Sequence, residues 1–217
     1  MITLVNFLLL IEALIYYNKN DIDKGYTPFK IYQICGCIRE AFCLSYSIRK
    51  NNNLFLYFQR EHILIKFVGK KLRYLGPDER SQALLLLRGI QKISNINRFE
   101  EQNLIECTPG IYGRKYPDNE SFINFFKSEK FYFIINPTQN SEVINFFTSI
   151  LELDEVNENH IYILPMYIIS KNKTKIITLF KDLKNLSFLS IPKISLVENQ
   201  ILYINFMKDN QTKSSYL

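Results

Sequence analysis

Glycine is absent from residues 114–217. The sequence of 217 residues contains seven glycines, and all of them lie at or before Gly113. Average glycine usage near 7% would place about seven more in the part that follows. The chain contains neither a G-x-G-x-x-G pattern nor a Walker A sequence, which excludes the two most common glycine-rich loops for phosphate binding.

Histidine and cysteine are too scarce and too isolated to indicate a metal centre or a hydrolase. The two histidines, His62 and His160, stand alone, and three of the four cysteines lie between Cys35 and Cys43 without a second cluster of ligands. Neither histidine follows a nucleophile elbow, as a Ser-His-Asp site would require. We therefore expect no metal site, cysteines that pack in the interior, and a reduced intracellular protein.

The start of the sequence is expected to form neither a secretion signal nor a membrane span. Its first 17 residues are nearly all apolar, but they include no basic segment and no small-residue cleavage site. Asn6 and Glu12 interrupt the apolar run before it reaches the roughly 18 residues that a membrane helix needs. This segment predicts a buried strand in a cytoplasmic protein with no membrane partner.

Helical and extended patterns alternate along the chain. With 217 residues, of which 47% are hydrophobic, the composition indicates one globular domain over 1–217. Apolar spacing predicts helices over 30–49, 78–92, 122–127 and 173–186, a turn at 108–110, and strands over 54–58, 63–68, 131–135, 161–164 and 188–191. The stretch 194–206 fits either a strand or a helix. The alternation of helices with apolar, uncharged strands predicts an α/β sheet that is covered by helices on both faces.

Positive charge is concentrated in one segment. Residues 49–92 contain ten lysines and arginines against three acidic residues, a net charge of +7, whereas the whole chain carries +6. The rest of the protein is therefore almost neutral. Such an excess is compatible with an ordinary solvated face, and also with a surface that contacts phosphates, because each bound Lys or Arg releases counterions.

Three segments resemble those of one known family in order and spacing. They are IYQICGCIREAFCLSYSIR at 31–49, RYLGPDERS at 73–81 and TPGIYGR at 108–114. The first is similar to the pattern LDxxCRCxNAAxxLSHGIR, and the second to LRxLxPDERS, of the archaeal tRNA pseudouridine-54 N1-methyltransferases. The resemblance covers about 30–114 well, while over 115–217 it rests mainly on the order of the elements.

The resemblance implies a fold, an activity and a site. The fold would be a SPOUT-type α/β domain with a parallel sheet, helices on both faces and a C-terminal trefoil knot, acting as a homodimer. Members of the family bind S-adenosylmethionine in the knot and methylate N1 of a pseudouridine in the T-loop of tRNA. By similarity, the cofactor-binding residues would be Leu164, Ser190, Pro192 and Lys193. The residues that face the RNA would be Lys30, Arg49 and Arg80.

The chain departs from the family where the cofactor loops should be. Glycine-bearing loops close to VLGDHxG and SLGPKS correspond here to ILPMY at 163–167 and SIPKIS at 190–195. The Arg-x-Asp that precedes the family's first helix appears as Lys30-Ile31-Tyr32, which lacks the carboxylate. Pro165 removes one backbone donor, and a non-glycine residue in a left-handed conformation costs about 1–3 kcal/mol.

Three hypotheses follow from these observations. The first is an RNA-modification protein that resembles the S-adenosylmethionine-dependent tRNA methyltransferases. The second is a cofactor-deficient relative that acts as an RNA- or protein-binding dimer, because the loops lack their glycines. The third is a methyltransferase that acts on a pseudouridine of ribosomal RNA.

Overall fold

The computed structural model describes residues 4–96, 103–127, 131–135, 150–153, 155–166, 180, 183, 185–191 and 194–214. The strands and helices within these ranges are, in chain order, β1 (Val5–Ile11), α1 (Lys19–Asp23), α2 (Phe29–Phe42), β2 (Asn52–Phe58), β3 (Ile63–Val68), a 3-10 helix (Gly69–Lys71), α3 (Glu79–Ser94), β4 (Ile105–Thr108), β5 (Ile111–Lys115), α4 (Asn119–Phe126), β6 (Phe131–Ile135), β7 (Ile150–Glu152), β8 (His160–Met166), β9 (Leu186–Ser190) and α5 (Val197–Ser214).

The nine described strands form one sheet in the order β4-β5-β3-β2-β1-β8-β6-β9-β7. The pairs from β2 across to β7 are parallel, whereas β2–β3, β3–β5 and β5–β4 are antiparallel. The prediction of a parallel sheet is therefore wrong for one side, and the sheet is mixed. The chain turns directly from β2 into β3 through residues 59–62, a connection too short for the crossover that a parallel pair needs.

The strand β1 lies in the middle of this sheet and is buried on both faces. All 7 of its residues are buried, and alternate side chains enter different cores. Phe7, Leu9 and Ile11 pack in a core with α2, α3 and α5, whereas Leu8 and Leu10 pack in a core with α4. The predictions of a buried N-terminal strand and of helices on both faces are confirmed.

The helix α2 ends earlier than the sequence pattern predicts. The prediction extended over 30–49, but the helix ends at Phe42, and Cys43 is already extended. The chain then turns back, since Cys43 and Ile48 form an isolated antiparallel bridge and the Arg49 N–H donates to the Phe42 carbonyl. The turn contains two serines, which are favoured in turns over helix interiors.

The helix predictions over 78–92 and 122–127 are confirmed, whereas the prediction over 173–186 is wrong at its end, because Leu183 is not helical and Leu186 begins β9. Asp78 caps α3 by accepting a hydrogen bond from the Ser81 N–H at 2.8 Å, and this bond holds the pKa of Asp78 below its usual value. The ambiguous stretch 194–206 is helical from Val197 onward, and the prediction over 173–186 falls largely outside the described residues. Neither α5, with its 18 residues, nor any other helix in the described ranges is long and apolar enough to cross a membrane.

Candidate cofactor site and nucleic-acid interface

The carboxyl ends of β2, β1, β8, β6, β9 and β7 meet along one side of the sheet, which we name the carboxyl edge. The pairing register places Ile163 of β8 and Phe188 of β9 level with Ile134 of β6. Leu164 therefore lies one residue closer to the carboxyl edge than this level, and Ser190 lies two residues closer. The strand β6 runs between them. Open α/β sheets bind ligands at this kind of edge, so the structure brings these two predicted cofactor-binding residues to a suitable place.

Leu164 and Ser190 differ in what they can offer to a ligand. Leu164 is fully buried, and its side chain packs in the same core as Leu9 of β1. Ser190 is exposed at the end of β9. The strand prediction over 161–164 is confirmed, whereas the assignment of Pro165 and Met166 to a cofactor loop is wrong, because both residues continue β8 along β1. The missing N–H of Pro165 therefore belongs to a strand position rather than to a cofactor loop.

The connections that follow β1 and β8 lead to opposite sides of the sheet. β1 leads through α1 and α2 to β2 on one side, while β8 leads to β9 on the other. Ligand crevices in open α/β sheets form at such points. The loops that follow β1 and β2 are tied together here, since the Leu14 N–H donates to Glu61 at 2.8 Å and Arg60 Nη2 lies 3.5 Å from Glu12 Oε1. Sequence reasoning missed this change of direction because it depends on the strand order.

The remaining predicted cofactor-binding residues, Pro192 and Lys193, lie outside the described residues. The segments 136–149 and 167–179, which follow β6 and β8, lie outside them too. Within the part of the chain that the structure describes, no group of three or more His, Cys, Asp or Glu side chains could hold a metal ion.

Arg80, which is predicted to face RNA, is exposed in the first turn of α3 and pairs with α1. Its Nη2 and Nε atoms lie 2.7 and 3.2 Å from Asp23 Oδ1. Lys19 Nζ lies 2.8 Å from the other oxygen of the same carboxylate. The hydrogen bonds from Lys19 and Arg80 hold the pKa of Asp23 below its usual value. Arg80 therefore links α1 to α3 while its guanidinium stays at the surface.

Arg49 is held by a different carboxylate. Its two terminal nitrogens lie 2.8 Å from the two carboxylate oxygens of Asp209 in α5, which makes a bidentate pair. The Arg49 side chain is only 15% exposed. An RNA phosphate would have to compete with Asp209 for this guanidinium, so the role of Arg49 in RNA binding stays a prediction.

Lys30 and Tyr32 are exposed in the first turns of α2, at the place where the family carries Arg-x-Asp. One turn further, Gly36 stands where the family has arginine. A Cβ at position 36 would lie 3.7 Å from Glu198 Cβ of α5, so a side chain there would meet that acidic residue. The three residues predicted to face RNA thus lie on separate parts of the fold, and each arginine has its own acidic partner.

A buried polar network lies beside Arg49. Asn52, which is fully buried, donates from Nδ2 to the Ala41 carbonyl at 2.6 Å and to Asn205 Oδ1 at 2.9 Å. Lys208 Nζ donates to Asn52 Oδ1 at 3.2 Å. Burial, and after it the nearby charge of Arg49, lower the pKa of Lys208 to about 8. The network joins α2, β2 and α5 at the amino ends of the parallel strands.

Replacing Lys208 by methionine should change how stability depends on pH. The pKa of the Lys208 amine is about 8 in the native state and 10.5 as its ordinary value, so between these values the unfolded state binds the extra proton. The contribution of Lys208 to the free energy of unfolding therefore rises with pH across this range. From pH 7 to pH 10, urea unfolding should show wild type gaining about 1–2 kcal/mol over Lys208→Met, after allowance for solvent screening.

Lys92→Met, on the exposed side of α3, is the matched control for this measurement. The difference in the free energy of unfolding between wild type and Lys92→Met should stay constant across the same pH range, because Lys92 is exposed and not buried like Lys208. If the difference in the free energy of unfolding between wild type and Lys208→Met also stayed constant with pH, this result would contradict the lowered pKa of Lys208.

These features define an α/β protein with a mixed sheet and a carboxyl edge suited to a ligand. No family model matches the chain. The chain is 34% identical over 85 residues to the tRNA (pseudouridine(54)-N(1))-methyltransferase of Methanocaldococcus jannaschii, covering 38% of this chain and 42% of that protein. It is 32% identical over 119 residues to the protein of the same name from Methanosarcina acetivorans, covering 54% of this chain and 53% of that protein. It is 39% identical over 76 residues to the protein of the same name from Haloferax volcanii, covering 35% of this chain and 37% of that protein.

The resemblance to the archaeal tRNA pseudouridine-54 N1-methyltransferases is thereby confirmed as a similarity of sequence. The chain spans about half, or less, of the length of the curated relatives it matches. Among solved structures, the crystal structure of Archaeoglobus fulgidus Nep1 bound to S-adenosylhomocysteine matches with a TM-score of 0.49 and 11% identity, covering 97% of this chain and 99% of that one.

Proposed function

We propose that this protein is an RNA-modifying methyltransferase that transfers a methyl group from S-adenosylmethionine to N1 of a pseudouridine in tRNA. The similarity to archaeal proteins named tRNA (pseudouridine(54)-N(1))-methyltransferase, at 34%, 32% and 39% identity, carries this proposal. Within the chain, RYLGPDERS at 73–81 is the most specific part of the resemblance. The proposal makes tRNA the partner and the cytoplasm the place of action.

We also propose a single SPOUT-type domain with a trefoil knot toward its C-terminal end. The order of the last four strands supports the knot, because β6 lies between β8 and β9, and β9 lies between β6 and β7. Strands that follow one another in the chain are thus interleaved in the sheet. Interleaving requires connections that pass over other strands, whereas ordinary folds avoid crossed connections.

The residues present at the carboxyl edge are compatible with a methyl donor. Ser190 exposes a hydroxyl at the end of β9, and the end of β8 beyond Leu164 lies on the other side of β6. S-adenosylmethionine, when bound, would supply the methyl group and leave as S-adenosylhomocysteine. The chain has to orient the base so that N1 faces this edge, and N1 loses its proton as it gains the methyl group.

Calorimetric titration and a methylation assay test the proposed activity together. We expect S-adenosylmethionine and S-adenosylhomocysteine to bind in the micromolar range. We expect methyl transfer to a tRNA with pseudouridine in its T-loop but not to the matched tRNA with uridine there, because N1 of uridine is occupied by the sugar. A ribosomal RNA fragment with a pseudouridine, assayed in parallel, distinguishes the hypothesis of an rRNA substrate.

One observation favours a second function, that of a cofactor-deficient RNA- or protein-binding dimer. The chain has no glycine after Gly113, and glycines permit the close backbone approach that a bound cofactor needs. Absence of cofactor binding up to millimolar concentration, together with intact tRNA binding, would replace the methyltransferase by this second function. Absence of both would overturn any role in RNA modification.

We further propose that the protein forms a homodimer through the exposed side of α5. Leu202 and Phe206 lie one helical turn apart and are 46% and 56% exposed. Phe29 and Tyr32 are also exposed, on α2, which packs beside α5. Large apolar side chains exposed on two neighbouring helices are typical of a surface that another protein covers.

The double variant Leu202→Glu/Phe206→Glu should be monomeric, because the interface would then bury two unpaired carboxylates. Size-exclusion chromatography with light scattering should give the mass of a dimer for wild type and of a monomer for the variant. The control Gln91→Glu/Ser94→Glu adds the same charge to the exposed side of α3 and should remain dimeric. A monomeric wild type would contradict the proposed dimer.

A further inference from the structure

Two exposed tyrosines lie on neighbouring loops at the edge of the sheet opposite to the carboxyl edge. Tyr46 is fully exposed, and Tyr74 is 78% exposed. We name the segments that carry them, residues 43–50 and 69–76, the tyrosine loops. The first precedes β2 and the second follows β3, and these strands are antiparallel, so both loops emerge from the same edge.

Contacts at both ends hold the tyrosine loops side by side. At one end, Gly69 lies against the carbonyl oxygens of Arg49 and Asn52, where there is no room for a Cβ atom. At the other end, the Cys43 thiol donates to the Gly76 carbonyl with an S···O distance of 3.7 Å. The two loops therefore lie next to each other at this edge of the sheet.

Burial does not explain why a tyrosine occupies position 74. Its backbone is left-handed, with a φ of 65°, a conformation that favours glycine or asparagine and is unfavourable for a bulky residue. An exposed ring gains little from packing in return. Unfavourable backbone conformations of this kind concentrate at sites that bind other molecules.

The charges around the two rings are positive. The tyrosine loops contain five basic residues and no carboxylate. Arg49 is paired with Asp209, and Lys71 Nζ lies 5.2 Å from the centre of the Tyr112 ring. The other three basic residues are exposed beside the tyrosines, and they are Lys50, Lys70 and Arg73.

We propose that the tyrosine loops bind unpaired bases of an RNA, which stack on Tyr46 and Tyr74 while the neighbouring lysines and arginine contact phosphates. An exposed ring offers a face to any unstacked base, whereas bases inside a double helix do not present theirs. The positive charge favours a nucleic acid over an apolar protein surface. The inference rests on the proposed function for the choice of RNA as the ligand.

The tyrosine loops are distinct from the predicted cofactor site. β2 runs from Asn52 beside the loops to Phe58 at the carboxyl edge. At about 3.3 Å per residue, the two edges are on the order of 20 Å apart. The loops therefore hold a part of the RNA other than the base that is methylated.

Fluorescence anisotropy with the full chain and three labelled RNAs tests this inference. The RNAs are a tRNA transcript, the T-arm hairpin of this tRNA with its unpaired loop, and a fully paired duplex of the same charge as the tRNA. The double variant Tyr46→Ala/Tyr74→Ala should bind the tRNA at least about tenfold more weakly, because each stacked base contributes about that factor or more. The double variant Tyr46→Phe/Tyr74→Phe should bind like wild type, since it keeps both rings.

Tyr26→Ala is the matched control, because Tyr26 is 73% exposed and lies outside the tyrosine loops. Its affinity for tRNA should equal that of wild type. An unchanged affinity of the alanine double variant, or an equal loss for tRNA and duplex, would overturn the stacking inference and leave the proposed function intact. A wild-type protein that binds none of the three RNAs would overturn both, and would point to a protein as the occupant of these loops.

Discussion

Replacing Gly69 by alanine is expected to destabilise the protein by about 2–4 kcal/mol. Gly69 begins the 3-10 helix after β3 and lies against the carbonyl oxygens of Arg49 and Asn52. A Cβ atom would lie 2.7 Å from the Asn52 oxygen and closer still to the Arg49 oxygen, which is nearer than real Cβ atoms approach. The backbone would have to shift, and the two tyrosine loops would move apart.

Gly36→Ala is the matched control for this substitution. The nearest atom to a Cβ at position 36 is Glu198 Cβ at 3.7 Å, an ordinary contact, and alanine is better than glycine inside a helix by about 0.5–1 kcal/mol. Urea unfolding followed by circular dichroism should therefore show a lower midpoint for Gly69→Ala and an equal or higher one for Gly36→Ala. Similar midpoints for both variants would show that the contact at Gly69 relaxes without cost.

Asn52→Ala is expected to lower the free energy of unfolding by about 3–5 kcal/mol. Asn52 is fully buried at the start of β2. Its loss would leave three buried groups without the bonds they make to it, namely the Ala41 carbonyl, Asn205 Oδ1 and the Lys208 amine. Each such group costs about 1–3 kcal/mol when it stays in the interior without a partner.

Asn53→Ala, one residue further along β2, provides the comparison. Asn53 is half-buried and donates one hydrogen bond, to Asn6 Oδ1 at 3.0 Å, so its loss should cost only about 1 kcal/mol. Adding Lys208→Met to Asn52→Ala should recover part of the lost stability, because it removes the unpaired amine. An Asn52→Ala variant as stable as Asn53→Ala would mean that water or a rearrangement satisfies the network.

The sequence predicted the elements whose signals are local. The helix α3 follows from Asp78 as a cap and from the apolar repeat directly after it, all within one stretch of chain. The strands β2 and β3 follow from short apolar runs with polar residues around them. In each case neighbouring residues determine the conformation, so the pattern is sufficient.

Pairing between distant segments left no such signal. The turn at 59–62 makes β3 antiparallel to β2, but its sequence QREH contains none of the glycine pairs that mark a tight hairpin. Arg49 pairs with Asp209, 160 residues later, and nothing near Arg49 indicates that partner. The helical spacing over 30–49 was misleading because Cys43 and Ile48 pair with each other instead.

The candidate site was predicted only in part for the same reason. The resemblance named Leu164 and Ser190, which lie at one edge of the sheet, but it assigned Pro165 to a loop although the residue continues β8. The basic composition of 49–92 indicated a charged surface. Nothing in the sequence distinguished Tyr46 and Tyr74 from the other tyrosines, because the exposure of a ring depends on the whole fold.

The central position of β1 has a consequence for the synthesis of the protein. Leu9 pairs with Leu56 of β2 on one side and with Leu164 of β8 on the other. About 100 residues separate the end of β2 from β8, so at about 5–20 residues per second the ribosome needs about 5–20 s to deliver the second partner. During that interval the apolar sequence VNFLLLI has one open edge, which is a template for pairing with other nascent chains. A chaperone that shields this strand until β8 emerges therefore lowers the chance that it pairs with another chain.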